Sequence, residues 1–141
     1  SSDLYIAWSV TNRSPLIRIP VTRGEGTRVE LRCPDSAANP YLTLAVCLQA
    51  GLDGIRNQIE PPAAVTENVF EMRMSQKNKL GIEELPADLG EALAEFEKDE
   101  YLQNVLGRHA TEKYIEAKKS EWADYRAQVS DWEINNYLYK I

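Results

Sequence analysis

Arginine and glutamate recur through one short stretch near the start of the chain, N-R-S-P-L-I-R-I-P-V-T-R-G-E-G-T-R-V-E-L-R, from Asn12 to Arg32. Arg13, Arg18, Arg23, Arg28 and Arg32 surround only two acids there, Glu25 and Glu30. Planar guanidinium forks suit phosphate and carboxylate oxygens. A lone glutamate among arginines stays ionised and can hold a divalent cation. The chemistry to which these residue types point is polyanion binding beside a metal. The competing reading is a solvated strand face laced with weak salt bridges, the usual condition of exposed charge. The excess of cations favours the anion site, because like charges facing each other destabilise a sheet.

A hairpin is the element that must present these groups. Residues 28 to 33 alternate strictly, with Arg28, Glu30 and Arg32 on one face and Val29, Leu31 and Cys33 on the other. Residues 17 to 22 alternate less cleanly, and Gly24 and Gly26 supply the turn between the two runs. The expected register sets Arg18 opposite Arg32, Pro20 opposite Glu30 and Thr22 opposite Arg28. The charges then share one face, and Ile17, Ile19, Val21, Val29, Leu31 and Cys33 make the other wholly apolar. Arg13 joins the charged face from the preceding turn.

Around the hairpin, Leu4 to Trp8 is rich in strand formers and predicts a further strand beside it. A strand so near the first residue leads to the expectation of a cut inside a larger fold. Asn39 and Pro40 predict a helix N-cap followed by proline in the first turn. Tyr41, Leu44, Ala45, Leu48, Leu52 and Ile55 then form an apolar stripe expected to pack on the sheet. Gly51 and Gly54 mark the fraying end of that helix.

Pro61 and Pro62 predict a mobile linker running to about Leu80. The remainder is expected to be helical. Asp88 and Glu91 have capping-box spacing, with Leu89, Ala92, Leu93 and Phe96 on one face. A short helix follows from Asp99 to Gly107. A long one from about His109 to Val129 carries Ile115, Lys118, Trp122, Tyr125 and Val129. Ser130 and Glu133 cap a last helix bearing Trp132, Tyr137 and Tyr139. The fold class is therefore α+β: antiparallel strands with a site-bearing hairpin, then a largely helical region. Its expected divisions are 1–60, a linker over 61–80, and 81–141. An aromatic-rich terminal helix buries little alone, so it packs on its own domain or docks on a neighbouring subunit.

Composition limits the function classes. At 43% hydrophobic and 27% charged, the 141 residues suit one folded globular domain and not a disordered chain. A net charge of −6 disfavours a general nucleic-acid binder, making the basic cluster a local exception. No apolar run is long enough to span a membrane, and no signal peptide is expected. Cys33 and Cys47 occupy apolar positions and read as buried free thiols, which fits a reducing cytoplasm. The single histidine, His109, has no Cys or His nearby and reads as structural.

The motifs N-R-S (12–14), I-R-I-P (17–20), R-V-E-L-R (28–32) and N-P-Y-L (39–42) resemble the C-terminal part of a prokaryotic-type glutamine synthetase catalytic domain. The likeness continues through A-G-L-D-G-I (50–55), L-G-R-H (106–109), E-W-A-D-Y-R (121–126) and W-E-I-N-N-Y-L (132–138), so it covers nearly the whole chain in order. The resemblance implies an ATP-dependent ligase that forms glutamine from glutamate and ammonia through γ-glutamyl phosphate, with Mg2+ or Mn2+ as cofactor. Arg13 resembles the arginine at the transferred phosphoryl group, reaching both ATP and glutamate. Arg18 and Arg28 resemble ATP phosphate contacts, Glu30 a metal ligand, and Arg32 the arginine that binds a glutamate carboxylate. Arg23 sits in a turn that varies in length in the family and reads as a solvated loop residue.

The resemblance also implies a cytoplasmic homo-oligomer, a dodecamer of stacked hexameric rings whose C-terminal helices clasp the opposite ring. The other metal ligands and the N-terminal domain would lie upstream, so the segment alone is expected to be inactive. Phe70 stands where enterobacterial enzymes carry the tyrosine that is adenylylated, which makes that regulation unexpected here. Two alternatives stay open: a related ligase that joins glutamate to another amine, and a non-catalytic phosphate-binding or assembly module.

Overall fold

Strand formers at the start of the chain build β1 (Tyr5–Ser9), the second strand of a small mixed sheet. The structure is a computed structural model and describes residues 5–138, so Leu4, at the edge of the first expected strand, and Tyr139 of the aromatic tail lie outside the described residues. The sheet runs in the order β3-β2-β1-β4, with β2 at Pro15–Arg18, β3 at Glu30–Leu31 and β4 at Glu83–Glu84. The pairs β2–β3 and β1–β4 are antiparallel, as expected of this sheet, but β1 and β2 run parallel. Their link, residues 10–14, is far shorter than the usual crossover of about a dozen residues. Short strands make this feasible, and a register shift between Tyr5 and Trp8 bends β1.

The hairpin forms only in part, over Pro15–Arg18 and Glu30–Leu31 and not over the full runs 17–22 and 28–33, and its register differs from the expected one. Arg18 pairs with Glu30 and Ile17 with Leu31, a slip of two residues from the expected pairing. Side chains repeat every second residue along a strand, so a two-residue slip keeps Arg18 and Glu30 on one face and Ile17 and Leu31 on the other. The observed pairing sets a carboxylate opposite a guanidinium and avoids Arg18 facing Arg32. The turn between the strands uses its glycines differently. Gly24 has φ +73°, a left-handed conformation. Gly26 is needed for space, because a Cβ there would lie 2.5 Å from Thr22 Cγ2.

Helix α1 (Pro40–Arg56) starts as the sequence predicts, with the Asn39 side chain accepting from the amides of Tyr41 and Leu42. Its apolar stripe does not pack on the sheet. Tyr41 is 83% exposed and Ile55 75%, and Leu44 and Leu48 are also exposed. Val21 and Val29 on the apolar hairpin face are exposed as well. Periodicity identifies a face that wants cover, but not which element covers it.

The segment expected to be a linker contributes to the core. Val65, Val69 and Met72 join Tyr5 and Ile82 in one buried cluster, with Val69 fully buried. A 3-10 turn (Val69–Glu71) and α2 (Met74–Lys79) give it local structure. Lys77 is buried too, its ammonium 3.8 Å from the Tyr5 ring centroid. Paired prolines signal an interruption; the apolar residues at 65, 69 and 72 are what tether the chain beyond them.

A second compact unit begins at Asp88. Asp88 caps α3 (Leu89–Lys98), Asp99 caps α4 (Glu100–Leu106), and Gly107 ends α4 at φ +80°. Helices α3 and α4 pack on α5 (Arg108–Arg126), where Phe96 meets Tyr114 edge to face. Ser130 and Glu133 form the reciprocal capping box at the start of α6 (Asp131–Glu133), which continues as a π-helical turn over Ile134–Leu138.

Gly90 in α3 faces Trp122 so closely that an added Cβ would lie 2.5 Å from Nε1 of the indole. Gly90→Ala gains helix propensity but forces the indole to move. The net expectation is a loss of about 1–2 kcal/mol, read as a lower urea midpoint for the unit. An unchanged or raised midpoint would mean that Trp122 yields freely.

Candidate functional site: an arginine face built on one glutamate

Glu30 is the centre of the charged face. Its Oε2 accepts from Arg18 Nη1 at 2.8 Å across the hairpin. Its Oε1 accepts from Arg28, at 2.9 Å from Nε and 2.7 Å from Nη2. Arg28 also donates to the Gly26 carbonyl, which ties the fork to the turn. The hydrogen bond from Arg18, reinforced by that from Arg28, holds the Glu30 carboxyl below the ordinary carboxylate range. The face therefore keeps its negative centre well into mild acid.

The remaining arginines are disposed differently. Arg32 stands opposite Leu16, its amide donating to the Leu16 carbonyl at 3.0 Å, and its side chain is exposed. Arg13 lies exposed in the turn before β2. Neither guanidinium makes a hydrogen bond or ion pair among the described residues. Arg23 folds back on its own turn and donates to the carbonyls of Pro20 and Thr22. The structure thus brings Arg18, Arg28 and Glu30 into direct contact, sets Arg32 two residues beyond Glu30, and leaves Arg13 in the turn before β2 with no hydrogen bond or ion pair to them among the described residues.

One detail of the face was not legible in the sequence. Arg18 Nε is buried and has no acceptor among the described residues. A buried donor without a partner is costly, a local cost of the arrangement that brings Arg18 to Glu30.

A metal is a different matter. No three His, Cys, Asp or Glu side chains gather among the described residues. Glu30 could serve as one ligand, and further ligands would have to come from outside the described residues. His109 is exposed at the start of α5. Cys33 and Cys47 are free thiols, half-buried rather than fully so, and burial pushes the Cys33 thiol up.

Comparison with known proteins gives these positions a context. The family model described as "Glutamine synthetase, catalytic domain" matches residues 1–137. A glutamine synthetase from Clostridium saccharobutylicum is 51% identical over 139 residues, covering 99% of this chain and 31% of its own length. One from Methanosarcina mazei is 49% identical over 137 residues, covering 97% and 31%. Among solved structures, a GmaS/ADP complex superposes with a TM-score of 0.82 at 36% identity, covering 97% of this chain and 30% of that one. An apo GmaS gives 0.80 at 37% identity with the same coverage. The chain spans 31% of the length of these curated relatives.

Proposed function

The chain belongs to the glutamine synthetase catalytic-domain family, and from that premise we propose that it carries the arginine face of an ATP-dependent ligase joining glutamate to ammonia. The observation that carries the proposal is the Arg18–Glu30–Arg28 constellation. Three roles follow from the family resemblance, and the charge of each side chain suits them. Arg18 and Arg28 hold ATP phosphates, with Glu30 aligning both forks. Arg32, free of ion pairs among the described residues, binds a glutamate carboxylate. Arg13 reaches the transferred phosphoryl group and the substrate beside it, where negative charge develops as γ-glutamyl phosphate forms. Glu30 is the residue this chain would lend to Mg2+ or Mn2+, which supplies charge neutralisation on the phosphates. The similar GmaS chain was solved as a complex with ADP, which supports nucleotide binding by a protein of this kind.

The uncovered stripe of α1 and the uncovered hairpin face support a segment that completes its packing, and its site, with other parts of a longer catalytic domain. Exposed Trp132 and Tyr137, in edge-to-face contact at 5.6 Å, support a terminal helix that docks on another subunit of a ring-shaped homo-oligomer. The two free thiols support a cytoplasmic setting.

Two assays test the proposal. The purified 141-residue chain should release no phosphate from ATP in response to glutamate and ammonia. The full-length protein should release ADP only when both are present. Turnover by the chain alone would end the proposal that the site is completed elsewhere. ADP release with a small alkylamine but not with ammonia would move the function to the related ligase class.

A further inference from the structure

We propose that Asn12 and Ser14 are positioning residues for Arg13, clamping its backbone to the segment 67–69. The inference rests on the role assigned to Arg13 above. Arg13 is exposed, and its guanidinium has no partner among the described residues, so nothing on its own side chain fixes where it points. Its two neighbours are held tightly. Ser14 is 5% exposed, and its Oγ accepts from the Val69 amide at 3.1 Å, a contact between residues 55 apart in sequence. Asn12 donates from Nδ2 to the Glu67 carbonyl at 2.5 Å, also across 55 residues. The Asn12 Oδ1 accepts from the Ser14 amide at 2.9 Å, and the Asn12 amide donates to Oγ of buried Ser9 at 3.1 Å.

These bonds bracket Arg13 on both sides and leave its side chain free. That division suits a residue whose partner charge appears only during reaction: the backbone is fixed beforehand and the guanidinium is kept for the substrate. Fully buried Val69 anchors the far side of the clamp in the core with Tyr5 and Ile82. The apolar residues of 61–80 thereby support the site and not only the fold.

The test is a double-mutant cycle in the full-length enzyme. Arg13→Ala alone should lower kcat, and if it does not, the role of Arg13 itself is wrong and the clamp has nothing to position. Ser14→Ala and Asn12→Ala should each lower kcat by about tenfold, with the KM for ATP within about twofold. Ser14→Thr, which keeps the hydroxyl, should recover most of the loss. In the Arg13→Ala background the Ser14 and Asn12 substitutions should have no further effect on kcat. Amide exchange at Val69 should accelerate in Ser14→Ala in either background. The proposal is overturned if Ser14→Ala and Asn12→Ala leave kcat unchanged, or lower it equally with and without Arg13. Asn12 is only half-buried, so its variant reports even if Ser14→Ala fails to fold.

Discussion

Glu30→Ala in the full-length enzyme is expected to weaken the apparent affinity for divalent metal by at least about tenfold to a hundredfold and to lower ATP-dependent turnover with it. Two effects combine. A carboxylate that could hold a cation is lost, and Arg18 and Arg28 remain on one face without the acid that both contact. Glu30→Gln separates them, since it keeps the side-chain shape and a hydrogen-bond acceptor but removes the charge. Titrating Mg2+ against ADP release in each variant provides the measurement. Metal dependence unchanged in both would reduce the constellation to a surface salt-bridge ladder.

The same residue predicts a pH signature in the isolated chain. Because the folded state depresses the Glu30 pKa, the contribution of the ion cluster is fully present above the unfolded carboxylate value. It is lost as pH falls through the lower folded value. A carboxyl NMR titration should place Glu30 below the ordinary range, and Arg18→Ala should raise it, since the Arg18 hydrogen bond is the largest cause of the shift. A Glu30 midpoint that does not respond to Arg18→Ala would mean that the cross-strand bond is absent in solution.

How far these groups could be read from the sequence depends on the range of the interaction. The faces of the hairpin were legible because strand periodicity assigns them whatever the partner. The register missed by two residues because both pairings keep the same faces, and only cross-strand charge contacts separate them. Helix caps were legible at Asn39, Asp88, Asp99 and Ser130, where donor and acceptor lie within three residues. Contacts that span the chain were not. Nothing in the spacing of Asn12, Ser14 and Val69 announces that they meet, and the parallel β1–β2 pair has no local signal. The stripe of α1 was read correctly as apolar, yet its exposure shows that amphipathicity names a need for cover and not its supplier.

The roles proposed for Arg13 and Arg32 divide most sharply. Arg32→Ala should chiefly raise the glutamate KM, by about tenfold to a hundredfold, because a charge-assisted hydrogen bond of a few kcal/mol is lost and each ~1.4 kcal/mol is tenfold in binding. In the proposed role that bond is made in the ground state and persists through reaction, so kcat should change little. Arg13→Ala should instead lower kcat by about a hundredfold to a thousandfold, because its partner charge develops on the phosphoryl group only as transfer proceeds. Arg32→Lys should recover part of the glutamate affinity, since it restores the charge but not the planar fork. Arg23→Ala serves as the internal control: its guanidinium is spent on the carbonyls of Pro20 and Thr22, so both kinetic constants should stay within about twofold. Steady-state kinetics of the four variants, with glutamate and ATP varied in turn, separate the outcomes. If Arg13→Ala and Arg32→Ala both matched Arg23→Ala, the arginine face would be a solvated strand surface, and membership of the family would say nothing about which residues of this chain touch the substrates.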